Sequence, residues 1–429
     1  MTLGAEGLAR LLAAITLLLI AAHVFGYLFT RYRQPRVIGE IVGGLMLGPT
    51  VLGAIAPGVQ ASLFPTTGPT PLVLDAIYQL GLLLLMFGAG AEVRVSFDSK
   101  ERRTVGAVTL TGMVVPFLVG LLFVSLLPEG RFLGAADDRA AFVLVFALAI
   151  AVTSIPVISR IMQDLGILET SFARIVLAVA VIEDVVVYVL LAIALGFVSA
   201  TTGDIFGLQG ALGVEASGAS GVIYHTVATL AFLLLSLWLG PIVYRTVLRS
   251  RLNLVKRSNA IAFQVAFMLV MTVIAAYVGV TPLFGAFAAG IVVGSTEGAG
   301  AQQAREHIRT FAMAFFIPIY FAIVGLRLDL IHGFDLPFFI LFLIVACVAK
   351  AASVWVGARL AGESPSGARN LAIALNARGG PGIVLASVAF DAAIIDQTFY
   401  AVLVMLAIVT SLLAGTWLER VISSGKPLR

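Results

Sequence analysis

Hydrophobic residues in this chain do not alternate with polar ones, nor do they keep to one face of each segment; they fill continuous runs. Charged or Gly/Pro-rich stretches break them, and several reach about 20 residues, enough for a helix to span a bilayer. Thirteen candidate spans begin near Leu8, Arg36, Pro71, Thr104, Arg139, Thr170, Val222, Asn259, Pro282, Thr310, Phe334, Gly367 and Phe399. Those near Arg36 and Pro282 are short and glycine-rich, which suits close helix packing. The longest loop, about Ser199 to Gly221, reads as a weakly acidic linker. The pattern predicts an all-α polytopic membrane protein of about 13 transmembrane helices.

Composition sharpens this. The 429 residues are 60% hydrophobic and 12% charged, with a mean hydropathy of +1.07. A soluble domain carries about 25% charged residues, so a soluble enzyme, a secreted disulfide protein and a disordered chain are excluded. The first run, about Leu8 to Thr30, is too long for a signal-peptide core and reads as a retained span. Cys347 is the only cysteine, which rules out a disulfide framework and a cysteine metal cluster. The net charge of +4 reflects loop asymmetry rather than a nucleic-acid partner. Basic residues such as Arg31, Arg102, Arg103, Arg245, Arg249, Lys256, Arg257, Arg305, Arg309 and Arg420 crowd the odd-numbered loops and the C-terminus. The opposite side holds Arg10, Arg131 and Arg139. By the positive-inside rule the N-terminus lies outside and the C-terminus in the cytoplasm of a cell inner (plasma) membrane.

An internal repeat is visible. Span two reads IVGGLMLG and span nine FAAGIVVG, ending in the G-x-x-x-G pairs Gly44/Gly48 and Gly290/Gly294. The two spans are seven apart, an odd number, so the copies cross in opposite senses, as in inverted-topology transporters. One transmembrane domain, 1–429, is expected, with repeats at 8–198 and 259–422 and a linker helix at 222–247.

In such architectures the site lies where helices are interrupted. Span five contains Thr153-Ser154-Ile155-Pro156, and span twelve contains Asn376-Ala377-Arg378-Gly379-Gly380-Pro381-Gly382. Again these are seven spans apart. Interrupted backbone frees carbonyls that can coordinate a cation. Glu183 and Asp184 sit mid-span in AVAVIEDVVVYVLLA. One charge at a bilayer centre costs about 2.5–3.5 kcal/mol on insertion scales, so two adjacent carboxylates mark a functional site. A carboxylate there can hold either a proton or a desolvated monovalent cation, and that competition is sufficient for exchange. Lys350 lies deep in ILFLIVACVAKAASVWVGA; a salt bridge to Glu183 or Asp184 would keep it charged. Arg378, beside the span-twelve break, reads as stabilising the carbonyl end of a half-helix and balancing the site's charge. Arg327 and Asp329 read as an interfacial pair, and Glu40 as a possible gate or a packed hydrogen-bonding group. His23, His225, His307 and His332 form no metal spacing. Gly88-Ala89-Gly90 lacks the rest of a nucleotide motif and reads as packing. No enzyme chemistry and no cofactor are indicated.

The stretch from Gln34-Pro35 to Gly53 (QPRVIGEIVGGLMLGPTVLG), the break at Thr153-Ser154, the pair Glu183-Asp184, Lys350 and the NARGGPG segment together resemble the cation:proton antiporter-2 family. That resemblance implies a homodimer in membrane lipid with separate core and dimerisation domains, and a core that slides like an elevator. Spans five and twelve would be crossed broken helices, the sodium/proton antiporter fold. Asp184 would bind the ion, and Lys350 would compete for the carboxylates as in electrogenic members. Many sodium/proton members carry two aspartates where this chain has Glu183 then Asp184, which leaves open whether Glu183 titrates. Potassium-efflux relatives carry a glutamine at the first position and a cytosolic nucleotide-binding domain, which is not expected here.

The expected function is exchange of Na⁺, with Li⁺ or K⁺ as alternatives, for H⁺. Asp184 is the proton/cation site, Thr153 and Ser154 complete coordination, and Glu183 and Lys350 set the charge. A gated potassium-efflux channel and an organic-ion transporter are the rivals.

Overall fold

The computed structural model of the protein describes residues 4–32, 34–92, 101–154, 158, 162, 165–202, 207–213, 219–250, 253–296 and 299–429. Among these, ten helices are long and apolar enough to cross a membrane. An eleventh span is formed by two helices joined at a 44° bend. Two shorter apolar helices, Arg139–Ala151 and Pro282–Gly294, occupy the remaining apolar runs. The protein is therefore an all-helical, multi-pass membrane protein. The one strand-like feature among the described residues is an isolated bridge between Leu133 and Ile395.

The helices used below are α1 (Ala5–Arg31), α2 (Arg36–Leu47), α3 (Pro57–Leu63), α4 (Pro69–Glu92), α5 (Arg102–Ser125), α6 (Arg139–Ala151) and α7 (Ser171–Thr202). They continue with α8 (Ala219–Trp238), α9 (Gly240–Arg249), α10 (Ala260–Val278), α11 (Pro282–Gly294), α12 (Ala299–Phe311) and α13 (Ile317–Leu326). The last four are α14 (Leu336–Leu360), α15 (Pro365–Ala374), α16 (Gly379–Asp391) and α17 (Gln397–Ser423). Local sequence explains several starts. Asp138, Asn259, Asp335, Ser364 and Asp396 each accept a hydrogen bond from a backbone N–H in the first turn that follows. These oxygens satisfy donors that have no partner within the helix.

Span ten departs from the sequence expectation. Hydropathy starts it near Thr310, yet helix begins at Ala299 and runs through a π-helical turn, Ala312–Phe316, into α13. The lead-in AGAQQAREHIRTF is rich in good helix formers and polar on one face. It continues the helix past the point where its apolar character ends, so Arg305 and Arg309 sit on helix rather than in a loop.

The chain divides into two compact units, each discontinuous in sequence. The first comprises Met1–Val24, Glu40–Arg94 and Leu195–Leu328; the second comprises Phe25–Gly39, Val95–Ala194 and Asp329–Arg429. In the first unit, missing side chains set the packing. A Cβ on Gly44 would lie 1.8 Å from the Ala322 carbonyl oxygen, and one on Gly325 would lie 1.9 Å from that of Ile41. The backbones of α2 and α13 thus touch reciprocally, and only glycine permits it. The second G-x-x-x-G segment does the same against α4: Gly290 and Gly294 meet the backbones of Phe87 and Ala91. Gly90 faces Phe287 in return.

The second unit is built from α5, α6, the first part of α7 and α14 to α17. Toward the N-terminal end of α6 its core is aromatic. Phe146 stacks on Phe399 at 5.1 Å between ring centroids and meets Phe342 edge-on at 5.2 Å. Toward the C-terminal end of α6 the core becomes polar.

Candidate functional site

The polar core forms where helices stop. α6 ends at Ala151, and Val152, Thr153 and Ser154 follow outside the helix. α15 ends at Ala374, and α16 begins at Gly379 after a short non-helical link. The two interruptions meet. Thr153 donates its hydroxyl to the Leu375 carbonyl at 2.8 Å, and the Gly380 N–H donates to Ser154 Oγ at 3.0 Å. Pro156, the other half of the span-five signal, lies outside the described residues.

A helix leaves its last four carbonyls without partners of its own. At the end of α6 all four are accounted for. The Val152 N–H takes Leu148 O, and Arg378 donates from Nε to Ala149 O (3.3 Å) and from Nη2 to Ile150 O (3.0 Å). Lys350 Nζ takes Ala151 O at 2.7 Å. Two cations thus cap the negative end of one half-helix, where they also complement its dipole. Arg378 further donates to Ala346 O at 2.8 Å and to Asn376 Oδ1 at 2.6 Å.

Lys350 completes its shell with the Gly112 carbonyl at 2.8 Å and Glu183 Oε2 at 2.8 Å. Lys350 and Glu183 are each 0% exposed. Of the two acids that could partner this lysine, Glu183 makes the direct ion pair. The other Glu183 oxygen, Oε1, is buried with no hydrogen-bond partner among the described residues. Asp184 follows on the same helix, buried at 2% exposure. The fold therefore gathers Thr153, Ser154, Glu183, Asp184, Lys350 and Arg378 into the second unit. Glu40 belongs to the first unit, where it is buried on α2. Arg327 also belongs there; it meets Asp75 at 3.5 Å and lies over the Tyr78 ring. Asp329 instead accepts hydrogen bonds from the backbone of Ile331 and His332.

Two polar residues at this junction carry no mark in the sequence reading, and a third, Asn376, is named there without a role. Thr410 and Ser411, on α17, accept hydrogen bonds from the Arg378 and Gly379 N–H groups at 3.3 and 3.2 Å. With Ser154 they supply hydroxyl oxygens to the N-terminal donors of α16. Their signal is an adjacent hydroxyl pair inside LAIVTSLLA. Asn376 orients Arg378 and donates to Cys347 O at 3.1 Å.

The ion pair makes a testable energetic statement. Removing one partner of a buried pair costs about 3–5 kcal/mol, whereas removing both is far milder. Lys350→Met should therefore lower the melting temperature of the purified protein, and Lys350→Met combined with Glu183→Gln should recover most of that loss. Equal, additive losses from the two changes would refute the pairing.

Chemically, the arrangement offers one carboxylate bound to an ammonium, a second beside it, and helix-break oxygens around both. Comparison with known proteins places it in context. A family profile described as sodium/hydrogen exchanger, transmembrane, matches residues 16–423. The chain is 26% identical to the Na(+)/H(+) antiporter NhaS4 of Synechocystis, over 95% of this chain and 96% of that one. It is 29% identical to K(+)/H(+) antiporter 1 of Saccharomyces cerevisiae, over 92% of this chain but only 44% of the yeast protein, so it spans about half the length of that relative. Among solved structures, the sodium proton antiporter MjNhaP1 of Methanocaldococcus jannaschii at pH 8 shares the fold. Its TM-score is 0.66 at 14% identity, with 96% of this chain and 98% of that one covered.

Proposed function

The chain belongs to the transmembrane sodium/hydrogen exchanger family and is a monovalent cation/proton antiporter, and from that premise we propose that it expels Na⁺ in exchange for H⁺. The observation that carries this reading is the fully buried Glu183–Lys350 pair beside the buried Asp184, set where two interrupted helices meet. Asp184 alternates between proton and cation. The oxygens of Thr153 and Ser154, backbone or hydroxyl, complete the coordination; the Thr153 hydroxyl donates its proton to Leu375 O and so keeps its lone pairs for a cation. Glu183 and Lys350 set the charge balance: a cation drawn to the carboxylates competes with the ammonium, which makes electrogenic exchange of two protons per cation the favoured stoichiometry. Arg378 offsets the negative charge of the site.

Elevator-type alternating access suits a unit that holds all of these groups internally. The inverted repeat is supported by the matched G-x-x-x-G segments and by the matched interruptions of spans five and twelve. A homodimer with its N-terminus outside, its C-terminus in the cytoplasm and Glu40 as a gate completes the proposal. K⁺ is the second reading, favoured by the name of the yeast relative.

The test uses purified protein in proteoliposomes with an acid-inside pH gradient, to which Na⁺, Li⁺, K⁺ or choline is added outside. Internal alkalinisation by Na⁺ and Li⁺ alone is the expected result. An equal response to K⁺ would move the assignment to potassium. No cation response from folded protein would overturn the reading.

A further inference from the structure

We propose that Pro116, on α5, is a positioning residue for exchange: by lacking an N–H it frees the Gly112 carbonyl to hold Lys350. This inference rests on the antiporter reading above and extends its machinery to a helix that carries none of the charged groups of the site.

In a regular helix the N–H of residue 116 would bond the carbonyl of residue 112, four positions back. Proline has no such N–H, and its ring also crowds that carbonyl away from the helix axis. Pro116 lies inside α5 and is buried, as is Gly112. An orphaned carbonyl in an apolar interior is costly unless a donor reaches it. Here the donor is Lys350 Nζ, at 2.8 Å. The three donors of the ammonium are thereby matched by three oxygens of different origin. One is the Glu183 carboxylate, one is the carbonyl that ends the α6 half-helix, and one is the carbonyl that Pro116 releases.

The same position explains the glycine. A Cβ on Gly112 would stand 3.2 Å from Glu183 Oε1, 3.0 Å from Val354 Cγ2 and 3.9 Å from Lys350 Nζ. Residue 112 therefore offers an oxygen to the lysine and room to the glutamate at once. The charged group that meets Lys350 directly is Glu183 from α7, with Asp184 next to it in sequence, and Arg378 from the span-twelve break binds the neighbouring carbonyls at the end of α6. From α5 and α6 it receives carbonyl oxygens. A proline four residues beyond a buried glycine, on a helix facing a buried lysine, is the sequence trace of this device.

The consequence concerns how firmly the ammonium is held against the carboxylates. Pro116→Ala restores an N–H that competes for the Gly112 carbonyl and weakens one of the three contacts to the ammonium. A cation that competes with the ammonium should then displace it more readily, and the KM for Na⁺ should fall by about three- to tenfold, the order expected for partial loss of one hydrogen bond to a charged group. Alanine is the better helix former, so a purely structural proline predicts an unchanged KM and the same change of melting temperature with or without the lysine.

Two readouts separate this inference from the function on which it rests. The first is the KM for Na⁺ in Na⁺-driven alkalinisation of proteoliposomes, at one pH, for the wild-type protein and Pro116→Ala. The second needs no transport: the melting temperatures of the purified wild-type protein, Pro116→Ala, Lys350→Met and the double variant. Without the lysine the Gly112 carbonyl loses the donor that now reaches it, so Pro116→Ala should raise the melting temperature more in the Lys350→Met background than in the wild type. An unchanged KM in folded Pro116→Ala protein, or an equal change of melting temperature in the two backgrounds, would overturn the proposal. If wild-type protein exchanges no cation the antiporter reading fails, and the melting temperatures still decide whether Pro116 frees the carbonyl that Lys350 takes.

Discussion

Asp184→Asn should abolish cation-dependent proton movement, lowering the rate roughly a hundredfold or more, about 2.7 kcal/mol in barrier terms. Asparagine fills the same volume but cannot ionise, so it can neither carry the proton nor supply the charge that draws a desolvated cation inward. Glu183 cannot substitute while Lys350 occupies its Oε2 at 2.8 Å. Burying an acid without its charge also relieves desolvation, so the melting temperature should hold or rise. The measurement is the initial rate of internal alkalinisation on adding Na⁺ to acid-loaded proteoliposomes, normalised to folded protein. Full exchange by Asp184→Asn would move the site elsewhere.

Arg378→Leu should have the largest effect on stability. Its guanidinium holds Ala149 O and Ile150 O at the end of α6, together with Ala346 O and the Asn376 side chain. Leucine would leave the two α6 carbonyls buried without donors, at about 1–3 kcal/mol each. It would also remove the charge that complements the end of that half-helix. The total is comparable with the stability of many domains. Loss of monodisperse, folded protein in size-exclusion chromatography is the expected outcome. Arg378→Lys should recover only part of it, because one ammonium cannot span carbonyls that a planar, five-donor group reaches together. A melting temperature for Arg378→Leu within a few degrees of wild type would show that the carbonyls find other donors.

These two residues differ in how far they could be read in advance. Both stand out in the sequence because a charge inside an apolar run is expensive and so marks a constraint. For Arg378 the half-helix was foreseeable as a kind of partner, but which half-helix was not. It lies beside the break in span twelve and caps the end of span five, more than two hundred residues away. Thr410 and Ser411 carry a weaker signal, since hydroxyls are cheap inside apolar helices when they bond their own backbone. Thr410 does so, donating to Leu406 O while its oxygen also takes the Arg378 N–H.

The long apolar runs alone determined that this is an all-helical membrane protein, because a bilayer admits few other ways to satisfy the backbone, but not where every helix starts: span ten begins at Ala299, well before its apolar run. Glycine spacing marked the helices that touch, because only a missing Cβ permits backbone contact. The buried charges marked the chemistry by their cost. Tertiary structure alone decided the pairing: that Lys350 meets Glu183, that Arg378 serves α6, and that Pro116 opens a carbonyl toward a lysine on another helix. It also decided which segments form each compact unit, interleaving stretches that the chain order keeps apart. Hydropathy and spacing report how one segment meets solvent or lipid. Which donor reaches which orphaned acceptor depends on distances between segments, and folding alone sets those.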